Sequence, residues 1–216
     1  MEIECYTGGF FQTNGYLLTG LGGQVLVDAP EGVTAWLREK GARVEVLLLT
    51  HQHYDHVIDV AALKREQPDC QIHAHSGYDT DLTLETFLRQ SIGWAAKVEP
   101  YRVDGRLEGQ GRIEAAGLEF ELRHVPGHSP DSLCYFLDGK CVSSADSEPL
   151  LFGGDVLFQG GIGRTDFPHG DTGLLLDGIR EKVLTLPEKT IVYPGHGPAT
   201  TVLDEARSNP FLNGMV

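Results

Sequence analysis

The sequence predicts an α/β protein in which two β-sheets pack together with helices outside. Short apolar runs bounded by turn residues recur in both halves of the chain, and segments with helical apolar spacing interrupt them. Hydrophobic residues make up 41% of the 216 positions, enough to bury one sizeable core. No linker, low-complexity segment or fixed-period repeat divides the chain, so a single domain over residues 1–216 is expected.

The elements follow in order. Residues 16–19 and 24–28 read as two strands joined by the turn Gly20-Leu21-Gly22-Gly23, the second ending on Asp28. Residues 31–40 suit a short helix, and Val44–Thr50 reads as a buried strand running straight into the loop that begins at His51. A helix over 57–66 stops before Pro68, and residues 71–75 form a short strand. Segment 79–96 carries Leu82, Leu84, Phe87, Leu88, Ile92 and Trp94 at helical spacing and is the longest helix candidate. Residues 112–116 and 118–123 form a hairpin about Gly117, and 132–137 and 140–143 a second about Asp138-Gly139, a favoured two-residue turn. A strand at 150–154, a helix at 172–185, a strand at 190–193 and a closing helical turn or two complete the chain.

Charge narrows the function. Seventeen basic against thirty-one acidic residues leave a net charge of −14, with no basic stripe for a phosphate backbone, so no nucleic-acid partner is expected. No apolar run reaches the ~20 residues of a membrane span, and Met1-Glu2-Ile3-Glu4 does not open a secretory leader. The four cysteines form no C-x-x-C and read as reduced thiols. A cytoplasmic location is expected.

The strongest chemical signal is His51-Gln52-His53-Tyr54-Asp55-His56. Three of nine histidines and an aspartate fall within six residues just after a buried strand. Alternate residues of an extended loop point the same way, so His51 and His53 can face one point while Asp55 and His56 face a neighbouring one. Imidazole with carboxylate suits zinc, and also iron, manganese or cobalt. Six residues do not close a site, and three other loop tips offer donors: His128 in Pro-Gly-His-Ser-Pro, Asp155 after Phe-Gly-Gly, and His196 in Pro-Gly-His-Gly-Pro. The remaining histidines, His73, His75, His124 and His169, sit singly at element ends and are expected to be structural.

Together, HQHYDH, PGHSP, GGD and PGHGP resemble the metallo-β-lactamase superfamily across nearly the whole chain. The resemblance implies an αββα four-layer sandwich with two divalent metal ions, zinc first and iron or manganese as alternatives, at one edge of the sheets. Carried onto this sequence, it places one metal on His51, His53 and His128, and the other on Asp55, His56 and His196. Asp155 bridges them, and Asp28 backs the metal loop. The stretches Gly163–Pro168 and Pro194–Thr201, with Asn209-Pro210-Phe211-Leu212, are similar to compact glyoxalase II-like hydrolases. Only 20 residues follow His196, so the C-terminal helical domain that helps the larger members bind glutathione is expected to be absent.

The resemblance implies hydrolysis of an acyl thioester such as S-D-lactoylglutathione. A hydroxide bridging the metals would attack the carbonyl, and Asp55 would serve the chemistry by orienting the water or managing its proton. Arg164, with Arg89 and Lys97 of the 76–108 insertion, is the candidate for gripping a charged thiol half. The alternative for Arg164 is an ion pair with Asp166. Two other activities fit the same ligands. One is a mononuclear iron persulfide dioxygenase, which the Gly-Arg-Thr-Asp-Phe segment resembles; the other is a lactone or β-lactam hydrolase.

Overall fold

The computed structural model describes residues 1–139 and 148–214. Its first sheet contains six strands in sequence order: β1 (Glu2–Gly8), β2 (Thr13–Gly20), β3 (Gly23–Val27), β4 (Val46–Leu48), β5 (Gln71–Ala74) and β6 (Gly105–Arg106). The first three pair antiparallel and the rest parallel. Each parallel step needs a crossover. Helix α1 (Val33–Lys40) joins β3 to β4, α2 (Tyr54–Val57) and α3 (Val60–Glu66) join β4 to β5, and α4 (Glu85–Ile92) precedes β6.

The second sheet is built from β7 (Arg112–Ala115), β8 (Leu118–His124), β9 (Leu133–Leu137), β10 (Leu150–Gly154), β13 (Ile191–Pro194) and β14 (Thr200–Thr201), in the spatial order β14-β13-β10-β9-β8-β7. A small ribbon of β11 (Leu157–Phe158) and β12 (Gly161–Ile162) follows β10. Helix α5 (Thr172–Gly178), extended by a wider π-type turn over Ile179–Val183, crosses from there to β13, and α6 (Val202–Ser208) follows β14.

Strand periodicity makes the layers. Leu18, Val25, Val27 and Leu48 point between the sheets to meet Phe120, Tyr135, Leu137 and Phe152. Their neighbours Leu17, Leu26 and Leu47 point the other way, under Val33, Leu37 and Leu63 of α1 and α3. On the far side, Cys134, Phe136, Leu151 and Val192 pack under Leu175, Ile179 and Val202. The result is the expected αββα sandwich. Burial on both faces explains why the central strands read as continuous apolar runs. No helix among the described residues is long and apolar enough to cross a membrane.

Several expected elements differ. The helix over 79–96 is confined to Glu85–Ile92. Leu84 has a left-handed backbone (φ 59°) that prevents extension upstream, and Gly93 (φ 69°) ends the helix by a left-handed cap. The helix over 57–66 is split: α2 begins inside the histidine hexapeptide, and α3 starts only at Val60. The expected helix start at 31 shifts to Val33, because the Asp59 carboxylate accepts from the Gly32 and Thr34 amides and caps α1 from outside the segment. Strand β1 was not expected. As an edge strand it is made mostly of exposed and half-buried residues and carries no apolar run. The expected strand 140–143 lies outside the described residues.

Candidate metal centre

The site is assembled where several strands end. Strand β4 runs into Leu49, Thr50 and His51; β8 into the loop of His128; β10 into Asp155; β13 into His196. Polar links across the sandwich hold these ends together. The Leu133 amide donates to the Thr50 carbonyl (2.7 Å), the Tyr135 hydroxyl to the Leu49 carbonyl (2.8 Å), and the Tyr16 hydroxyl to the Pro194 carbonyl (2.7 Å). These buried bonds span 83 to 178 residues of sequence, so they tie the site's geometry to the packing of the two sheets.

The hexapeptide is not a simple extended loop. His51 and His53 precede the helical turn, with His53 on extended backbone (φ −60°, ψ 147°), whereas Tyr54, Asp55 and His56 belong to α2. The extended part aims two imidazoles at one point, and the helical turn carries Asp55 and His56 to another. Ligand atoms of His51, His53 and His128 lie within 4.8 Å of one another; so do those of Asp55, His56 and His196, and those of His51, His56 and Asp155. The Asp155 carboxylate stands between the groups. Its Oδ1 is 3.3 Å from His56 Nε2, and its Oδ2 is 3.4 Å from both His128 Nε2 and His196 Nε2. All seven candidate donors therefore converge.

The donor chemistry fits divalent cations. His51 Nε2, His56 Nε2, His128 Nε2 and Asp155 Oδ1 are buried with no hydrogen-bond partner. Orphaned buried polar atoms are costly, about 1–3 kcal/mol each, so four around one point call for an external partner. The opposite ring nitrogens are tied down. His56 Nδ1 meets Asp28 (2.8 Å), His128 Nδ1 the Arg164 carbonyl (2.8 Å), His196 Nδ1 the Phe11 carbonyl (3.0 Å), and His51 Nδ1 the Thr50 hydroxyl (3.1 Å). A proton on each Nδ1 leaves Nε2 with a free lone pair aimed inward.

Electrostatics agrees. Burial holds His51, His53 and His128 below the ordinary histidine pKa, which keeps them neutral as ligands must be. Burial pulls His56 and His196 the same way, but the Asp55 and Asp155 carboxylates outweigh it. His56 is raised, and His196 is pushed up to about 10. Burial in turn lifts Asp55 and Asp155, and the charge of His56, with His196, overrides it and holds both below the usual carboxylate range. The positive charge that the two acids draw onto His56 and His196 is the role a divalent ion would fill.

Asp28 lies behind the 51–56 segment. Its buried carboxylate takes the Thr50 amide (2.8 Å), the Thr50 hydroxyl (2.7 Å) and His56 Nδ1. Asp28→Ala is expected to free the His56 ring and weaken metal affinity by about 10–100-fold. Competition titration with a chromophoric chelator measures this, and an unchanged affinity would remove Asp28 from the site.

Other contributors carry no motif. The Thr13 hydroxyl donates to Asp55 Oδ2 (2.6 Å), and the Asn14 amide side chain donates to the Pro194 and Gly197 carbonyls that flank His196. Both come from the start of β2, among residues that look like ordinary turn-flanking polar groups. Of the proposed substrate contacts, Arg164 borders the cavity in front of the donors, but Asp166 holds it through two 2.7 Å bonds and its guanidinium lies 4.2 Å from the Phe167 ring centre. Arg89 and Lys97 are exposed and do not line that cavity. Their segment contributes apolar side chains instead, because the helix turns Leu84, Phe87 and Leu88 inward and its cations outward.

Known proteins match this geometry. The Lactamase_B family, the metallo-β-lactamase superfamily, matches residues 8–196, from the end of β1 to the last candidate ligand. A probable metallo-hydrolase, YqgX of Bacillus subtilis, is 39% identical over 96% of this chain and 95% of its own length. Hydroxyacylglutathione hydrolase GloC of Haemophilus influenzae is 38% identical over 82% of this chain and 80% of its own. The crystal structure of the B3 metallo-β-lactamase BLEG-1 superposes with a TM-score of 0.83 at 32% identity, covering 99% of this chain and all of the other. An αββα sandwich whose strand ends converge five histidines and two aspartates, matched along its length by these relatives, is a metal-dependent hydrolase fold, and the chain belongs to the metallo-β-lactamase superfamily.

Proposed function

We propose that this protein hydrolyses an acyl thioester with two divalent metal ions. His51, His53 and His128 would hold one ion, Asp55, His56 and His196 the other, and Asp155 would serve both. The observation that carries this reading is the Asp155 carboxylate, within 3.3–3.4 Å of histidines from each group. The relative named as a hydroxyacylglutathione hydrolase supports the thioester class. The reading places the enzyme in the cytoplasm, where Cys5, Cys70 and Cys134 stay reduced, with zinc favoured over iron or manganese.

When bound, such ions lower the pKa of water toward neutrality and polarise the substrate carbonyl. The protein's own groups do the rest. Asp55, oriented by the Thr13 hydroxyl and 3.2 Å from His196, holds a carboxylate oxygen beside the reacting centre that can take a proton from the attacking water. The apolar walls of the cavity keep other water away. The leaving thiolate needs no strong acid.

Elemental analysis after reconstitution is expected to give two metals per chain. Chelation is expected to abolish hydrolysis of a thioester panel and to lower stability. With free metal a hundredfold above Kd, the loss is about 2.7 kcal/mol for each site emptied, roughly a 5–10 °C fall in Tm per ion for a chain this size. A plateau at one iron, with oxygen uptake on glutathione persulfide and no thioester cleavage, would overturn the reading. So would β-lactam turnover alone. Arg164→Ala is expected to lower kcat/KM for lactoylglutathione by less than about tenfold and to spare uncharged thioesters, because its charge is already satisfied by Asp166. A loss of a hundredfold or more confined to lactoylglutathione would make Arg164 the principal anchor.

A further inference from the structure

The cavity in front of the donors has a volume of about 610 Å³. That is room for far more than the lactoyl group. Setting aside the five donors that border it, eleven residues form its walls, and nine of these are apolar or aromatic. Phe87, Leu88 and Ile92 make the α4 wall, and Phe158 and Phe167 face it. Phe167 connects that wall to the metal centre, with ring centres 5.5 Å from Phe87 and 5.3 Å from His53. At the rim, Ile92 is 62% exposed.

Cations are scarce by comparison. Arg164 is the single basic side chain on the wall, and Asp166 occupies the Nε/Nη2 edge of its guanidinium. A glutathione moiety brings two carboxylates and an ammonium that would have to be desolvated against phenylalanines, under a protein of net charge −14. An alkyl or aryl group would gain from the same surface.

We infer that the preferred substrate is a thioester whose acyl group is a medium-length alkyl or aryl chain, seated along the α4 wall, rather than a short hydroxyacyl group on glutathione. This rests on the thioesterase reading above. The reaction is hydrolysis: the acyl C–S bond breaks, water supplies the new C–O bond, and the products are a carboxylate, a proton and a thiol.

The test is a series of acetyl, butanoyl, hexanoyl and octanoyl thioesters of mercaptoethanol, with lactoylglutathione alongside, assayed on metal-loaded enzyme. We expect kcat/KM to rise by up to about fourfold per added methylene until the cavity is full, with lactoylglutathione among the poorest substrates. Ile92→Lys is expected to flatten the series, since it places a charge at the rim at a position that already faces solvent. Leu21→Lys, in the remote β2–β3 turn, is expected to leave the slope intact. Binding is read separately. Trp94 lies 5.4 Å from Phe11 of the cavity wall, and Trp36 is the only other tryptophan. In Trp36→Phe protein, octanoate is expected to shift Trp94 fluorescence at concentrations well below those at which acetate does. Thioester cleavage with a flat chain-length series, or with lactoylglutathione preferred, would overturn this inference and leave the thioesterase reading standing. No thioester cleavage at all would overturn that reading and this inference with it. The fluorescence titration tests the apolar seat separately from turnover, and equal response to octanoate and acetate refutes it.

Discussion

Asp155→Ala is expected to remove metal and activity together. Its two carboxylate oxygens face His56 on one side and His128 and His196 on the other, so truncation takes a donor from both candidate ions at once. Losing several kcal/mol of charge stabilisation corresponds to a fall in kcat/KM on the order of 10³-fold or more. Metal content after dialysis should drop below one per chain. The control is His73→Ala. His73 lies on β5 with its ring against Gly105, away from the donors, and its loss should leave both metal content and kcat/KM within about twofold of the parent. If His73→Ala strips metal, or if Asp155→Ala keeps two ions, the ligand assignment is wrong.

The second large effect comes from a residue that offers no donor. Gly195→Ala is expected to weaken metal binding by at least about 10–100-fold while the protein stays folded. A methyl group there would press on Asp155 Oδ1 and on the His56 ring, and neither can retreat, because Asp28 fixes His56 and Asp155 is buried. Overpacking of this kind costs about 1–3 kcal/mol, and the strain falls on the ligands themselves. Gly197→Ala is the contrast. Gly197 has a left-handed backbone (φ 73°), and a Cβ there would meet nothing within 4 Å. It should cost about 1–2 kcal/mol of backbone strain and lower Tm without releasing metal. Isothermal titration of both variants with zinc separates the two effects. Equal affinities would show that the Pro-Gly-His turn tolerates a side chain beside the ligands.

The two glycines mark the boundary of what could be read. Pro-Gly-His-Gly-Pro shows that a histidine is presented on a sharp turn, and it does not show which glycine faces the other candidate donors. That depends on Asp155 and His56 arriving from β10 and α2, through contacts 40 and 139 residues away in the chain.

Local pattern determined the candidate donors and the layered sandwich. Imidazole and carboxylate spacing after a buried strand is a short-range signal, and period-two burial along strands marks them wherever they pack. The tertiary structure alone decided the supporting shell and the cavity. Thr13, Asn14 and the carbonyls of Phe11 and Arg164 act through hydrogen bonds that any polar or backbone group can make, so their types announce nothing. Segment 79–96 had the right apolar spacing, but Leu84 and Gly93 cut it to Glu85–Ile92. The side chains that remain line a cavity instead of a core, because α4 packs beside the metal loop: the Tyr54 amide donates to the Thr83 carbonyl, and Phe87 meets Phe167. An apolar face has the same sequence signature whether it covers a core or a substrate, and only its surroundings distinguish the two.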